Sequence, residues 1–124
     1  MKKLTKAEEE VMQVLWDKGR CTVKDIREAI DPVNPPPHST ISTFVRILEE
    51  KGFVDHKAYG RTYEYFPLVS KEAYSSDSLD QLAQDYFGGS MRKLVSFLVQ
   101  EEKLDRDELN DLLQQLENDE KPTP

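Results

Sequence analysis

The segment His38 to Lys51, HSTISTFVRILEEK, constrains the fold of this chain more than any other stretch. Ile41, Phe44, Val45 and Leu48 recur at helical spacing and make one apolar stripe that must lie against a core. Ser39, Thr40, Ser42, Thr43 and Arg46 fall on or near the other side, and His38 opens the segment. Hydroxyls and a guanidinium so placed can reach base edges and phosphates in a DNA major groove. Taken alone, the same residues also describe an ordinary surface helix, because Ser and Thr are common near helix starts. The residues downstream narrow the choice. Lys51-Gly52 ends the helix, Phe53 to Ala58 predicts a strand, Tyr59-Gly60-Arg61 a turn, and Thr62 to Leu68 a second strand rich in Tyr and Phe.

Upstream, Thr5 and Glu8 have capping-box spacing, a hydroxyl for an orphan N–H and a carboxylate three residues on to reach back. Ala7, Val11, Val14 and Leu15, broadened by Met12 and Trp16, form the apolar stripe of a first helix, which Gly19 is placed to close. Thr22 and Asp25 repeat the cap ahead of a short helix with Val23, Ile26 and Ile30 facing inward. The run DPVNPPP at 31–37 carries four prolines and reads as a stiff, extended connector. Three helices followed by a hairpin is the winged helix-turn-helix order. An isolated hairpin of this size is not stable, so Phe53, Tyr63, Tyr65 and Phe66 are expected to pack on the helices. Arg61, at the tip, is left free to meet a phosphate.

Beyond Pro67 the chain turns acidic and helical. Leu79, Leu82, Ala83, Tyr86 and Phe87 precede a Gly88-Gly89 break, and Met91, Leu94, Val95, Leu98 and Val99 then recur at helical spacing. Asp105 and Glu108 open a last helix striped by Leu109, Leu112, Leu113 and Leu116. Two or three helices cannot hide all of these side chains within one chain, and each Leu or Val left in water forfeits about 1.5–3 kcal/mol. The stripes are expected to meet their copies in a second subunit.

The net charge of −7 is unevenly spread: residues 1–69 hold eleven Lys+Arg and eleven Asp+Glu, whereas residues 70–124 hold six and thirteen. A neutral N-terminal half can still present a basic face if its acids point elsewhere. The single cysteine, Cys21, can form neither an internal disulfide nor a thiolate cluster and reads as a small buried residue. No run approaches ~20 apolar residues, and the start MKKLTKAEEE lacks the apolar middle of a signal peptide; direct membrane binding is not expected, and the location is expected to be cytoplasmic. No metal site, cofactor site or nucleophile with its base emerges either. His38 and His56 sit on different elements, and Asp55 and His56 are strand neighbours whose side chains should diverge. The chain is not expected to be an enzyme.

Three segments, LTKAEEEVMQVLW, STISTFVRILEEKGFVDHK and YFGGSMRKLVSFLVQEEKLDRDELNDLLQQL, resemble the penicillinase-repressor family of BlaI/MecI type, with KGFVDHK and FGGS the most specific parts. The likeness runs from Leu4 to about Leu116. It implies a homodimeric winged-helix repressor of palindromic double-stranded DNA operators, inactivated when a membrane-bound sensor protease signals β-lactam exposure. Carried over by position, Ser39, Thr40, Ser42 and Thr43 match the recognition helix, and the cut in antibiotic-responsive members falls here at Ser96-Phe97. Those members typically have Asn before the cut, where this chain has Ser96. The copper-responsive branch carries a C-terminal cysteine motif, and no cysteine follows Cys21.

The expected fold is mainly α with a small antiparallel β-hairpin. A winged-helix DNA-binding domain at 1–69 should precede a helical dimerisation domain at 70–117 and a disordered tail at 118–124. DNA contacts are expected from His38, Ser39, Thr40, Ser42, Thr43, Arg46 and Arg61, and dimer contacts from Leu94, Leu98, Leu109, Leu112, Leu113 and Leu116. A rival reading is a winged-helix module that binds another protein, with the acidic helices as a dimer scaffold.

Overall fold

The computed structural model describes residues 1–120 and places six helices and one hairpin in the order α1 (Lys6–Lys18), α2 (Val23–Ile30), α3 (His38–Glu50), β1 (Val54–Tyr59), β2 (Thr62–Pro67), α4 (Lys71–Phe87), α5 (Met91–Gln100) and α6 (Arg106–Glu120). Two compact units result, Met1–Asp77 and a second that begins at Ser78. The first unit reaches beyond the expected limit at residue 69 because aromatic packing continues past it. Trp16 Nε1 donates to the Val69 carbonyl at 2.9 Å, and the Tyr74 ring lies 5.6 Å from Trp16 and 5.8 Å from Phe53. Of the segment expected as a disordered tail, Asn118 to Glu120 continue α6, and residues 121–124 lie outside the described residues.

Helices α1, α2 and α3 pack on one another and on the hairpin around Val11, Met12, Leu15, Ile26, Ile41, Val45, Leu48, Phe53 and Val54, all buried. Thr5 caps α1 by accepting from the Glu8 N–H at 3.2 Å, and Thr22 with Asp25 forms the full reciprocal box on α2. Glu8 does not complete the box at α1. Its carboxylate is buried and receives two bonds from Lys51 Nζ, at 2.7 and 2.9 Å, while Lys51 also donates to the Lys3 carbonyl at 3.2 Å. A lysine at the end of α3 thus ties that helix to α1 and to the N-terminal strap. Gly52 follows with φ +81°, a left-handed conformation that lets the Phe53 N–H reach back to the Leu48 carbonyl at 2.9 Å and turns the chain into the hairpin.

The hairpin pairs Val54 with Pro67, His56 with Tyr65 and Ala58 with Tyr63 across the two-residue turn Gly60-Arg61. Its aromatics divide by position. Tyr65, near the base, is buried, but Tyr63, two residues nearer the tip on the same face, is 48% exposed. Phe66 points to the other face, half-buried, with the Arg20 guanidinium 5.1 Å from its ring centre. Only Phe53 and Tyr65 of the four aromatics therefore enter the core, since a strand alternates faces and its tip outruns the helices. Cys21 joins the sheet as an isolated bridge: its N–H donates to the Tyr65 carbonyl at 2.9 Å and its carbonyl accepts from the Tyr65 N–H at 2.7 Å. The Cys21 thiol is fully buried, and burial pushes its pKa up.

In the second unit, Gly88-Gly89 separates α4 from α5, which Ser90 caps through the Lys93 N–H at 3.1 Å. Asp105 caps α6 by accepting from the Glu108 N–H at 2.7 Å. That backbone hydrogen bond holds the Asp105 carboxyl below its ordinary pKa, while its side-chain contact raises that of Glu108.

Removing one partner of a buried ion pair leaves an uncompensated charge, at a cost of about 3–5 kcal/mol. Lys51→Met, which strands the Glu8 carboxylate, is expected to destabilise the chain by about 3 kcal/mol in urea unfolding. Adding Glu8→Leu should restore most of the loss. A double variant no more stable than Lys51→Met would show that the pair contributes nothing beyond packing.

Candidate nucleic-acid interface

With Ile41, Val45 and Leu48 buried, the 100° step per residue turns Ser39, Thr43 and Arg46 to the opposite side, where all three are exposed. His38 and Ser42 lean toward the hairpin, and Thr40 lies on the other flank. Helical spacing alone makes these hydroxyls equivalent, and the structure separates them. Thr43 Oγ1 donates to the Ser39 carbonyl at 2.9 Å, and Ser42 Oγ pairs with His38 Nδ1 at 3.2 Å. Among the described residues, neither Ser39 nor Thr40 has a side-chain hydrogen bond, so each can offer its hydroxyl without breaking one. Glu50 shares the outward face but sits at the last position of α3, away from the N-terminal turns that reach bases in helix-turn-helix proteins.

Helix α3 also starts differently from the others. Thr5, Thr22, Ser70, Ser90 and Asp105 place a side-chain oxygen on the first turns of α1, α2, α4, α5 and α6. Pro37 precedes α3 and supplies no such bond. The first N–H groups of α3 are thus left without a side-chain acceptor at the positive end of the helix, where a phosphate is a fitting partner. The signal was legible as Pro-Pro-Pro-His with no capping residue at 37. The connector is itself anchored: Arg27 Nε donates to the Pro36 carbonyl at 2.6 Å, and the Asp31 carboxylate accepts from the Val33 and Asn34 N–H groups at 3.1 and 3.0 Å.

Between α3 and the hairpin runs a groove lined by Thr22, Val23, Lys24, His38, Ser42, Arg61, Thr62, Tyr63 and Tyr65. Arg61, from the turn, and Lys24, from the first turn of α2, contribute positive charge on opposite elements of it. Neither they nor Arg46 has an ion-pair partner among the described residues. Lys24, Thr22 and Tyr63 were missed in the sequence, because only the fold brings the start of α2 beside the hairpin. Glu8, one of the acids in the neutral half, is removed from any surface by burial against Lys51.

One arrangement differs from expectation. Asp55 and His56 do not diverge: the Asp55 carboxylate folds back to accept from the His56 backbone N–H at 2.8 Å, and His56 Nδ1 meets the Glu49 carboxylate. The imidazole stacks on Tyr63 with ring centres 4.4 Å apart. The base of the hairpin is thereby fastened to the last turn of α3. No helix among the described residues is long and apolar enough to cross a membrane.

Residues 4–118 match the family model described as penicillinase repressor. The chain belongs to the penicillinase repressor family. Its relatives include the methicillin resistance regulatory protein MecI of Mammaliicoccus sciuri, 28% identical over 88% of this chain and 89% of that protein. The penicillinase repressor of Bacillus licheniformis is 26% identical over 92% of this chain and 89% of its own length. Among solved structures, the DNA-binding domain of the repressor BlaI superposes with a TM-score of 0.51 at 28% identity, covering 60% of this chain and 94% of that domain. The penicillinase repressors are DNA-binding transcriptional repressors and not enzymes, and the winged-helix fold agrees with that membership.

On any duplex the chain binds, Arg61→Ala is expected to weaken all sequences alike and to flatten the plot of log affinity against log[salt] by about 0.9, the value of one phosphate. Ser39→Ala should instead relax sequence preference, by about 1 kcal/mol at one base pair, the net value of a single hydrogen bond. Equal losses of affinity and preference from both substitutions would contradict the division into backbone and base contacts.

Proposed function

We propose that the chain acts as a homodimer that represses transcription from a palindromic operator, each copy offering α3 and its hairpin tip, and that proteolysis within the C-terminal helices relieves repression. The surface of the second unit carries the proposal. Leu79, Leu82, Tyr86, Met91, Val95, Phe97, Leu112, Leu113 and Leu116 are between 37% and 74% exposed, while Ala83 and Leu94 are the buried side chains among that unit's described residues. Full burial of one such side chain is worth about 1.5–3 kcal/mol. Pairing with a second copy is the economical way to cover them, because one self-complementary patch then serves both chains. Leu94, expected at the interface, is already covered within its own unit, and Leu98 and Leu109 are half-buried. The proposed contact therefore centres on Leu112, Leu113 and Leu116.

A two-fold dimer would set two copies of α3 into major grooves about 34 Å apart, or a multiple of that, on one face of the duplex. Tying two weak half-site contacts together raises affinity by about 10²-fold or more, so untying them suffices for release. The names of the relatives link those proteins to methicillin resistance and to penicillinase, which supports β-lactam exposure as the signal for this chain. The partner we propose for the cleavage is a membrane-bound sensor protease. Ser96-Phe97 lies inside α5, where the Phe97 carbonyl accepts from the Glu101 N–H at 2.9 Å and the Phe97 ring sits 5.4 Å from Phe87. Cleavage there would require local opening of α5 and would detach α6, with its leucines, from the rest of the chain.

A chain ended after Ser96 should sediment as a monomer, keep the thermal transition of the first unit, and bind a two-half-site duplex about 10²-fold more weakly than the full chain. Dimerisation of that fragment at micromolar concentration would exclude the second unit as the tie. In cells exposed to a β-lactam, intact-mass analysis should find a fragment ending at Ser96. Operator release by a chain that stays full length would overturn the proteolytic step.

A further inference from the structure

We propose that Glu49, Asp55 and His56 form a binding site for one divalent transition-metal ion, with Zn2+ the best match. Glu49 comes from the last turn of α3, and Asp55 and His56 from the first residues of β1. One carboxylate oxygen of each acid and one ring nitrogen of His56 lie within 4.8 Å of one another. Three ligands in a tetrahedral shell at 2.0–2.2 Å from a metal would stand about 3.3 Å apart. The convergence is built by the fold: the bond from the His56 N–H to the Asp55 carboxylate turns Asp55 back along its strand, and stacking on Tyr63 fixes the plane of the imidazole.

Charge and donor type point to the class of ion. Among the described residues, neither Glu49 nor Asp55 lies within ion-pair distance of a Lys or Arg, and the basic side chain that Glu49 meets is the His56 ring. A divalent cation balances the two carboxylates outright. Mg2+ and Ca2+ favour shells made of oxygen alone, whereas one imidazole nitrogen with two carboxylate oxygens suits Zn2+ and its neighbours. Three protein ligands on a half-exposed site leave a fourth position for water. The ion would pin the end of α3 to the base of the hairpin, the joint already spanned by the His56 and Glu49 contact.

The test uses the full chain and Zn2+ alone. Calorimetric titration should give one ion per chain, with binding weakened at least about tenfold by Glu49→Gln and by His56→Phe, which keeps an aromatic ring beside Tyr63. Thermal melts of both metal-free variants check that they fold. The chain has two histidines, so NMR supplies an independent reading: Zn2+ should shift the His56 ring resonances and leave those of His38 in place. Absence of binding, equal binding by the wild type and both variants, or unmoved His56 resonances would each overturn the site, the second by assigning the ion to the acidic helices.

Discussion

Ile41, Val45 and Leu48, fully buried along one side of α3, hold the first unit together and decide what its surface can do. Their contacts with α1 and α2 fix the rotation of α3 about its own axis, and that rotation sends Ser39, Thr43 and Arg46 outward. A turn of the helix by one residue would bury hydroxyls without partners and expose leucine, an exchange costing several kcal/mol. The Glu8 and Lys51 pair locks the end of the same helix, so rotation and axial position are both set. The hairpin takes its place from two further ties, the Cys21 bridge to Tyr65 and the Glu49 contact with His56. The outward face of α3 and the base of the hairpin are therefore held in one arrangement.

Much of this was legible in the chain because it rests on local periodicity. The apolar spacing of α1, α2 and α3, the caps at Thr5 and Thr22, and the glycine after α1 are properties of short windows, and the structure repeats them within a residue or two. What escaped depends on contacts between distant residues. Glu8 read as a capping acid because its neighbours suggested one, yet Lys51 lies 43 positions away and claims it. Cys21 gave no strand signal, since one bridged residue is too short for alternation to show. Asp55 and His56 followed the rule that neighbours on a strand point apart, and the Asp55 bond to the backbone overrides it. Tyr63 carries the same aromatic character as Tyr65, but only the length of the hairpin beyond the helices leaves it exposed.

The two units divide labour in a manner their burial expresses. The first closes a core of its own, while the second leaves three leucines of α6 and most of the apolar residues of α4 and α5 uncovered. Helical spacing in the sequence marked these residues as an apolar stripe too large for one chain to hide, and a second copy was the expected cover. An uncovered stripe on a helix that also carries Asp107, Glu108 and Asp111 favours a partner offering the same stripe over a nucleic acid, whose phosphates those acids would repel. The proposed DNA contact therefore falls on the neutral half, where the acid Glu8 is internal and the cations Lys24, Arg46 and Arg61 are free of ion pairs among the described residues.

The most direct measurement is an NMR titration of the isotope-labelled full chain with duplex DNA carrying the operator, recorded amide by amide. Shifts are expected in the first turns of α3, at Lys24 and at Gly60-Arg61, with Ser39 and Thr40 among the most affected. Shifts confined to α4, α5 and α6, or centred on α1 away from the groove, would contradict the placement of DNA on the α3 and hairpin surface.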